Sequence, residues 1–266
     1  MTVVCVIPAR YASSRFPGKP LAMLKGSTGE ARSLIERTWR VACEVPEFDQ
    51  VLVATDDARI ADAVATFGGA VAMTSSEAKN GTERCAEVLV QRAERPEMIV
   101  NLQGDAPLTP PWFLSQLVAA LRARPDVDVA TPVLQCDGQT LAAFQADRMA
   151  GRVGGTTAVF GAQNQALYFS KEVIPFTAQR YEPGSFTPVF HHVGVYAYRP
   201  SALMSYLRQE PGPLEQNEGL EQLRFLEHGA RLLCVEVDAN GRKFWELNNP
   251  EDVPRIEAMM LEMAMP

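Results

Sequence analysis

The chain contains 266 residues, 47% of them apolar and 21% charged, a composition that predicts a folded protein with a sizeable core and excludes a disordered chain. A formal net charge of −7 argues against a protein that binds nucleic acid through a generally basic surface. No apolar run approaches the ~20 residues of a membrane span, and no basic flank marks a signal peptide at the N-terminus. The five cysteines are scattered and form no CxxC pair, so we expect a cytoplasmic protein with no membrane partner.

Strands and helices alternate over the first half of the chain. Short apolar runs bounded by turn residues predict strands, and apolar residues at helical spacing predict helices. In chain order, the prediction is strand 3–7, helix 32–45, strand 51–55, helix 58–67, strand 70–74, helix 82–93, strand 98–103, helix 110–123 and strand 128–133. This alternation, with near-continuous apolar strands, predicts an α/β fold with a mostly parallel sheet covered by helices on both faces.

The second half of the chain has a different pattern. Residues 134–200 are β-rich and aromatic with little helical period, which predicts a β-rich lobe. A helix over 214–229, a strand over 231–237 and a last helix over 250–260 follow. Because no separate second core is evident, we predict a single domain over 1–266. It divides into a first half (1–133), a β-rich half (134–236) and a C-terminal segment with a helix (237–266).

The segment VIPARYASSRFPGKPL forms a basic loop at the end of the first strand. It carries Arg10, Arg15 and Lys19 among glycine, proline and small residues. Ligands of parallel sheets bind at the carboxyl ends of the strands, and exposed N–H groups with fixed positive charge suit a polyphosphate. The loop contains neither GxxxxGK[ST] nor GxGxxG, so it is not a Walker A loop or a dinucleotide fingerprint. A merely solvated basic loop remains the alternative.

Two further segments carry candidate site residues. NLQGDAPL (101–108) places Asp105 at the same sheet edge, where a carboxylate beside a cationic loop suits Mg²⁺, although an Asp-Ala-Pro turn would also explain it. NGTER (80–84) combines Gly81, which permits close backbone approach at a helix start, with Arg84, whose guanidinium suits a phosphate or a base.

Six motifs in order resemble one family: IPARYASSRFPGKPL, NGTER, VNLQGDAPL, ALYFS, HHVGVYAYRP and LEQLRFLEHG. From Val3 to about Glu257 the chain is similar to the 3-deoxy-manno-octulosonate (Kdo) cytidylyltransferases. The resemblance implies a nucleotidyltransferase fold and a homodimer that uses Mg²⁺. It also implies transfer of CMP from CTP to the acidic sugar Kdo, with release of pyrophosphate, for lipopolysaccharide or capsule assembly.

The resemblance also implies roles for single residues. It implies catalytic roles for Arg10, Lys19 and Asp105. It implies nucleotide binding by Ala9, Arg10, Arg15, Lys19, Gly81, Thr82 and Arg84. It implies sugar binding by Gln103, His192, Tyr196, Glu221 and Gln222. Asp105 would hold the metal, with Asn248 as a candidate second ligand. Residues 1–133 would bind the nucleotide, and 134–236 would bind the sugar and form the dimer.

Departures from the family pattern leave alternatives open. Asn248 stands where the family usually has an aspartate that binds a second metal. Either that metal is held more weakly, or Glu246 substitutes for the aspartate, or this chain handles metals differently. The segment 146–160 matches poorly where sugar contacts are expected. The alternatives are therefore a cytidylyltransferase for another acidic sugar, such as an amino-Kdo or a nonulosonate, or a nucleotide-binding paralogue without turnover.

Overall fold

The structure is a computed structural model that describes residues 2–13, 15–153 and 155–266. Its residues form two compact units: the first unit comprises Met1–Ser115 and Ala239–Pro266, and the second unit comprises Gln116–Asp238. The first unit is thus discontinuous in sequence. The prediction of a single catalytic domain stays a prediction.

The first unit contains the regular alternation that the sequence predicts. Its strands are β1 (Val3–Ala9), β2 (Met23–Lys25), β3 (Ala31–Ser33), β4 (Gln50–Thr55), β5 (Ala70–Met73) and β6 (Met98–Leu102). Its helices are α1 (Leu34–Cys43), α2 (Ala58–Thr66), α3 (Gly81–Gln91) and α9 (Asp252–Glu262), and α4 (Pro111–Ala123) begins in this unit and ends in the second.

Four of these strands form a parallel sheet in the order β5-β4-β1-β6. Every residue of β1 is buried, as expected for a central strand with helices on either side. The parallel α/β prediction is therefore confirmed. It follows that β1, β4 and β6 all end at the same edge of the sheet.

The second unit is built mainly from antiparallel strands. Its strands are β7 (Val129–Asp137), β8 (Thr156–Phe160), β9 (Ala166–Ser170), β10 (Phe186–His192), β11 (Val195–Tyr198) and β12 (Leu232–Glu236). Its helices are α5 (Gly138–Met149), α6 (Pro200–Tyr206), α7 (Pro213–Glu218) and α8 (Leu223–Glu227). The order is β11-β7-β10-β8-β9, and β12 pairs in parallel with β7.

Short polar side chains start four of the helices. The side chains of Ser33, Asp57, Asn80 and Asp137 accept hydrogen bonds from backbone N–H groups in the first turns of α1, α2, α3 and α5. These bonds satisfy donors that a helix leaves without an internal partner. The local sequence thus fixes where each of these helices begins.

The structure corrects three details of the sequence prediction. Helix α5 lies inside the region predicted as β-rich, and the β2–β3 hairpin was not predicted at all. The single helix predicted over 214–229 is wrong, because Gly219 adopts φ 63° and ends α7 before α8 begins. A left-handed glycine is a common helix stop.

The C-terminal segment packs into the core of the first unit. Leu247, Ile256 and Met260 form a buried apolar cluster with Leu24, Leu34 and Leu108. Burial of this kind stabilises a fold by roughly 25 cal/mol for each Å² of apolar surface removed from water. The cluster therefore fixes the chain around residue 247 against the body of the first unit. Within the described part of the chain, no helix is long and apolar enough to cross a membrane.

Candidate active site

A cavity of about 310 Å³ lies at the carboxyl edge of the parallel sheet in the first unit. Its lining residues are Pro8, Ala9, Arg10, Ser13, Arg15, Lys19, Ala78, Lys79, Asn80, Gly81, Arg84, Gln103 and Asp105. The structure thus brings together eight residues that the sequence singled out. Thr82, the remaining first-unit residue predicted to bind nucleotide, is fully buried and is not among the lining residues.

The basic loop reaches the strand-end carboxylate directly. The Lys19 ammonium donates to Asp105 Oδ2 at 2.6 Å, with both side chains partly shielded from water. A charge-assisted bond of this length is stronger than a neutral one. The Asp105 carboxylate therefore already has a cationic partner supplied by the loop.

The C-terminal segment completes this corner of the cavity. The Leu247 N–H donates to the Asp105 carbonyl at 2.9 Å, which holds residues 246–248 beside the strand end. The Asn248 side-chain oxygen accepts from the Arg15 guanidinium at 3.3 Å. Asp252, in the first turn of the last helix, accepts from the N–H groups of Asn248 and Asn249 and so shapes this turn.

Glu246 has an unusual environment in this corner. Burial and the nearby negative charge of Asp105 raise the pKa of its carboxyl group to about 7, against the opposing effects of Asn248, Lys19 and Arg15. A divalent cation bound between these two carboxylates would offset their mutual repulsion.

Arg84 lies at the cavity with its guanidinium already engaged. It forms an ion pair with Asp56 at 3.1 Å and donates to Thr74 Oγ1 at 2.6 Å and to the Ser75 carbonyl at 3.2 Å. Only 3% of Arg84 is exposed. These contacts join α3 to the segments that follow β4 and β5, so Arg84 also supports the cavity wall.

The start of α3 faces the same cavity. The Asn80 side chain accepts from the Glu83 N–H at 2.8 Å, and the Glu83 side chain accepts from the Lys79 N–H at 2.7 Å. At Gly81, an added Cβ would lie 2.9 Å from Gln103 Nε2, so only glycine fits without a shift. Sequence reasoning missed Lys79 and Asn80, although an Asn three residues before a Glu is a helix-start signal.

The second unit contains a separate group of predicted residues around His192. Thr131 Oγ1 lies 2.9 Å from His192 Nε2 and 2.8 Å from the Val195 carbonyl. Because the hydroxyl has one hydrogen, which the shorter contact takes, we assign the His192 proton to Nε2, from where it donates to Thr131. Burial lowers the pKa of His192 to about 3, so the ring is neutral at pH 7.

Tyr196 and Gln222 extend this group. The Tyr196 hydroxyl donates to Gln222 Oε1 at 3.2 Å, and the His192 and Tyr196 ring centroids are 5.6 Å apart. Gln222 is 2% exposed, and its amide nitrogen has no hydrogen-bond partner among the described residues. A buried donor without a partner is rare and suggests a missing acceptor. Glu221 precedes it in the short turn between α7 and α8, and its carbonyl accepts from Tyr206.

Comparison with known proteins identifies the family. A family model described as cytidylyltransferase matches residues 4–233, which is most of the chain. The chain belongs to the cytidylyltransferase family. Relatives named as cytidylyltransferases match over nearly their whole lengths and over nearly all of this chain.

Several cytidylyltransferases of this kind are close in sequence. A 3-deoxy-manno-octulosonate cytidylyltransferase of Maricaulis maris is 45% identical and covers 98% of this chain and 97% of its own length. Proteins of the same name from Chlamydia abortus and Myxococcus xanthus are 42% and 40% identical, covering 96% and 97% of this chain and 92% and 96% of their own lengths.

One solved structure agrees with this assignment, and a second is similar in fold. The structure of a CMP:2-keto-3-deoxy-manno-octonic acid synthetase complexed with CTP has a TM-score of 0.83 and 32% identity, covering 99% of this chain and 100% of that chain. The 4-diphosphocytidyl-2C-methyl-D-erythritol synthase of Anaerococcus prevotii, with a TM-score of 0.58 and 14% identity, covers 97% of this chain and 95% of its own and is similar in fold alone.

Proposed function

We propose that the chain transfers CMP from CTP to the anomeric hydroxyl of Kdo, or of a close 3-deoxy-2-keto sugar acid, and releases pyrophosphate. One observation carries the proposal. The basic loop and Asp105 line a single cavity at the carboxyl edge of the sheet, in a chain 45% identical to a protein named for this reaction.

The chemistry needs charge stabilisation more than covalent catalysis. The anomeric oxygen forms a bond to the α-phosphorus of CTP, the bond from that phosphorus to the bridging oxygen breaks, and the hydroxyl proton is released. Negative charge accumulates on the departing pyrophosphate. Arg10, Arg15 and Lys19 line the cavity and would stabilise this charge, and the positive end of α3 adds to their field. Ala9, Gly81 and Arg84 would complete the nucleotide contacts, with the buried Thr82 supporting them.

The residues at Asp105 fit a Mg²⁺ ion. Mg²⁺ is commonly held by one or two carboxylates, with water and substrate phosphates completing its shell. Asp105 supplies one carboxylate, and Glu246 is close enough for the Asp105 charge to raise its pKa. In residues 2–13, 15–153 and 155–266, no cluster of three or more His, Cys, Asp or Glu side chains could hold a metal. When bound, Mg²⁺ would polarise the α-phosphoryl oxygen and favour ionisation of the attacking hydroxyl.

The contacts around Asp105 indicate roles for Lys19, Asn248 and Glu246. Lys19 neutralises the carboxylate while no cation is bound, and would turn to phosphate when one is. Asn248, with its oxygen accepting from Arg15, would position that arginine rather than act as a main ligand. Glu246, whose pKa responds to the charge of Asp105, is then the candidate second carboxylate.

The group around His192 supports an acidic, hydroxyl-rich sugar as the second substrate. A neutral imidazole, the Tyr196 hydroxyl and the unpaired Gln222 amide nitrogen can hydrogen-bond hydroxyl and carboxylate oxygens without burying another charge. We propose that these residues and Glu221 bind the sugar; Gln103, which lines the cavity of the first unit, stays a predicted sugar-binding residue.

Pyrophosphate release with CTP and Mg²⁺ tests the function. We expect release with Kdo present and none without a sugar acid. A panel containing an amino-Kdo and a nonulosonate distinguishes the substrates: release only with one of these would replace Kdo by that sugar. Bound CTP without release on any sugar would contradict the proposal and favour a nucleotide-binding protein without turnover.

We also propose a cytoplasmic homodimer. Leu167, Phe176 and Phe186 of the second unit are 63%, 89% and 71% exposed, so large apolar side chains of this unit are available for a partner subunit to cover. All five cysteines are unpaired, which agrees with a reducing compartment. Sedimentation equilibrium should give a dimer, and a Phe186→Glu variant should shift it towards monomer. A wild-type monomer would contradict this proposal.

A further inference from the structure

The basic loop closes on itself at Tyr11. The Gly18 N–H donates to the Tyr11 carbonyl at 2.9 Å, and Gly18 adopts φ 71°, a conformation that favours glycine. The Tyr11 ring lies against Gly18, since an added Cβ would be 3.1 Å from ring atoms. Arg10 directly precedes Tyr11 in the chain, and Lys19 directly follows Gly18. Two of the cations that line the cavity, Arg10 and Lys19, therefore flank the same contact.

A side chain at the start of helix α2, outside the cavity lining, makes a second contact with that ring. The Arg59 guanidinium lies 3.4 Å from the centroid of the Tyr11 ring. Asp57 accepts two bonds from this guanidinium, at 2.9 and 2.6 Å, and its carboxylate also caps α2 by accepting from the Arg59 N–H. Asp57 at the start of α2 thus fixes the Arg59 guanidinium, which stacks on the Tyr11 ring.

Arg59 is poorly suited to contact a phosphate itself. Its charge is already neutralised by Asp57, and neither Arg59 nor Tyr11 is among the residues that line the cavity. Arg59 is nonetheless well placed to act through the loop. A cation over an aromatic face is attracted by the ring, and a planar guanidinium is the best side chain for such stacking.

We propose that Arg59 and Tyr11 are positioning residues. The stack of Arg59, Tyr11 and Gly18 holds the basic loop closed, so that Arg10 and Lys19 face the triphosphate before CTP arrives. This inference rests on the proposed function. Its physical basis is preorganisation, because a loop that is already ordered loses less freedom on binding and keeps its charges aligned with the reacting groups.

Steady-state kinetics test the proposal. We expect Arg59→Ala and Tyr11→Leu each to lower kcat/KM for CTP by about 10-fold, with KM for the sugar acid unchanged. Tyr11→Phe keeps the ring and should stay near wild type, and Arg59→Lys should fall between. The matched control is Arg40→Ala, which removes another helix arginine of the first unit that pairs with a carboxylate, Glu36. Equal losses for Tyr11→Phe and Tyr11→Leu would overturn the role of the ring.

Limited proteolysis supplies a readout that does not depend on turnover. Trypsin can cut the loop after Arg10 and Arg15, so Arg59→Ala and Tyr11→Leu should be cut at these bonds about 5-fold faster than wild type or Arg40→Ala, and CTP should protect them. Thermal unfolding should match the Arg40→Ala control. Wild-type cleavage rates together with wild-type KM for CTP would overturn the proposal. If the wild-type protein showed no turnover, the proposed function would be wrong. The cleavage rates would still test whether Arg59 and Tyr11 hold the basic loop closed.

Discussion

The cavity of the first unit and the group around His192 in the second unit use opposite electrostatics. In the cavity, charges face charges: Lys19 pairs with Asp105, and Arg84 pairs with Asp56. Around His192, the imidazole, the Tyr196 hydroxyl and the Gln222 amide are neutral, since burial holds the pKa of the imidazole near 3. The comparison indicates that the cavity is adapted to a multiply charged ligand and the group around His192 to shape and neutral hydrogen bonds.

The two regions should also differ in how they respond to salt and to substitution. Charges at the partly open cavity interact through solvent and weaken with salt, whereas the buried neutral group loses stability when one partner is removed. Variants in the first unit should thus affect binding and rate more than folding. Variants in the second unit should affect folding as well.

The largest expected effect compares two buried ion pairs. In the second unit, Arg224 donates two bonds of 2.7 Å to Glu215, and both residues are buried. Arg224→Met should lower the free energy of unfolding by about 3–5 kcal/mol, because it leaves a buried carboxylate without its cation. Arg84→Met should cost less, since Asp56 retains 20% exposure to water. Denaturant unfolding measures both; equal losses would break the comparison.

Removal of the strand-end carboxylate tests the charged cavity. Asp105→Asn should lower kcat by about 10²–10³-fold, the usual cost of losing one electrostatic stabiliser, while the fold and CTP binding persist. The exposed Asp126, which pairs with Arg124 in the second unit, gives a control variant, Asp126→Asn. Pyrophosphate release measures the rate, and near-normal turnover by Asp105→Asn would contradict the metal assignment.

The neutral histidine predicts a pH dependence of stability. The folded pKa of His192 is depressed to about 3, so the unfolded chain binds the proton first and the contribution of the neutral ring is lost as pH falls below the ordinary value near 6.5. Between pH 6.5 and 5 this loss is up to about 1.5 kcal/mol. Glu246, whose pKa is raised to about 7, acts in the opposite direction. The slope for wild type minus that for His192→Gln isolates the ring, and identical slopes would show that His192 titrates normally.

The smallest effect concerns one hydrogen bond of the neutral group. Tyr196→Phe removes the donor to Gln222 and should lower the free energy of unfolding by about 1 kcal/mol, a typical value for one such bond. It should also raise KM for the sugar acid and leave KM for CTP unchanged. A change in KM for CTP alone would show that Tyr196 acts on nucleotide binding and that its assignment to the sugar is wrong.

The sequence predicted those features that depend on residues close together in the chain, such as strands, helices and the loops at their ends. The first strand, predicted over 3–7 and observed over Val3–Ala9, and the position of the basic loop and Asp105 at a sheet edge follow from hydrophobic periodicity and the geometry of parallel sheets. Helix α5 was missed because it buries only Gly138, Leu141 and Phe144, too few apolar residues to form a clear stripe. The helix expected over 214–229 is interrupted by a backbone conformation at Gly219 that periodicity does not report.

Contacts between distant segments could not be predicted. The bond from Leu247 to Asp105 and the cover of Arg59 over Tyr11 join residues with no shared local signal. The unpaired amide of Gln222 likewise depends on packing that only a folded chain defines. The sequence could name Glu246 as a candidate, but not place it beside a second carboxylate.

The two-part first unit has a consequence for how the protein is made. A ribosome delivers Met1–Ser115 before Gln116–Asp238, and Ala239–Pro266 emerges only after the whole of the second unit. Domains tend to fold as units while the chain is still growing. The second unit can therefore fold on the nascent chain, whereas the corner that contains Glu246, Leu247 and Asn248 forms only once that later segment has also left the ribosome. A chain arrested after Asp238 would carry the basic loop and Asp105, yet lack the segment that closes around them.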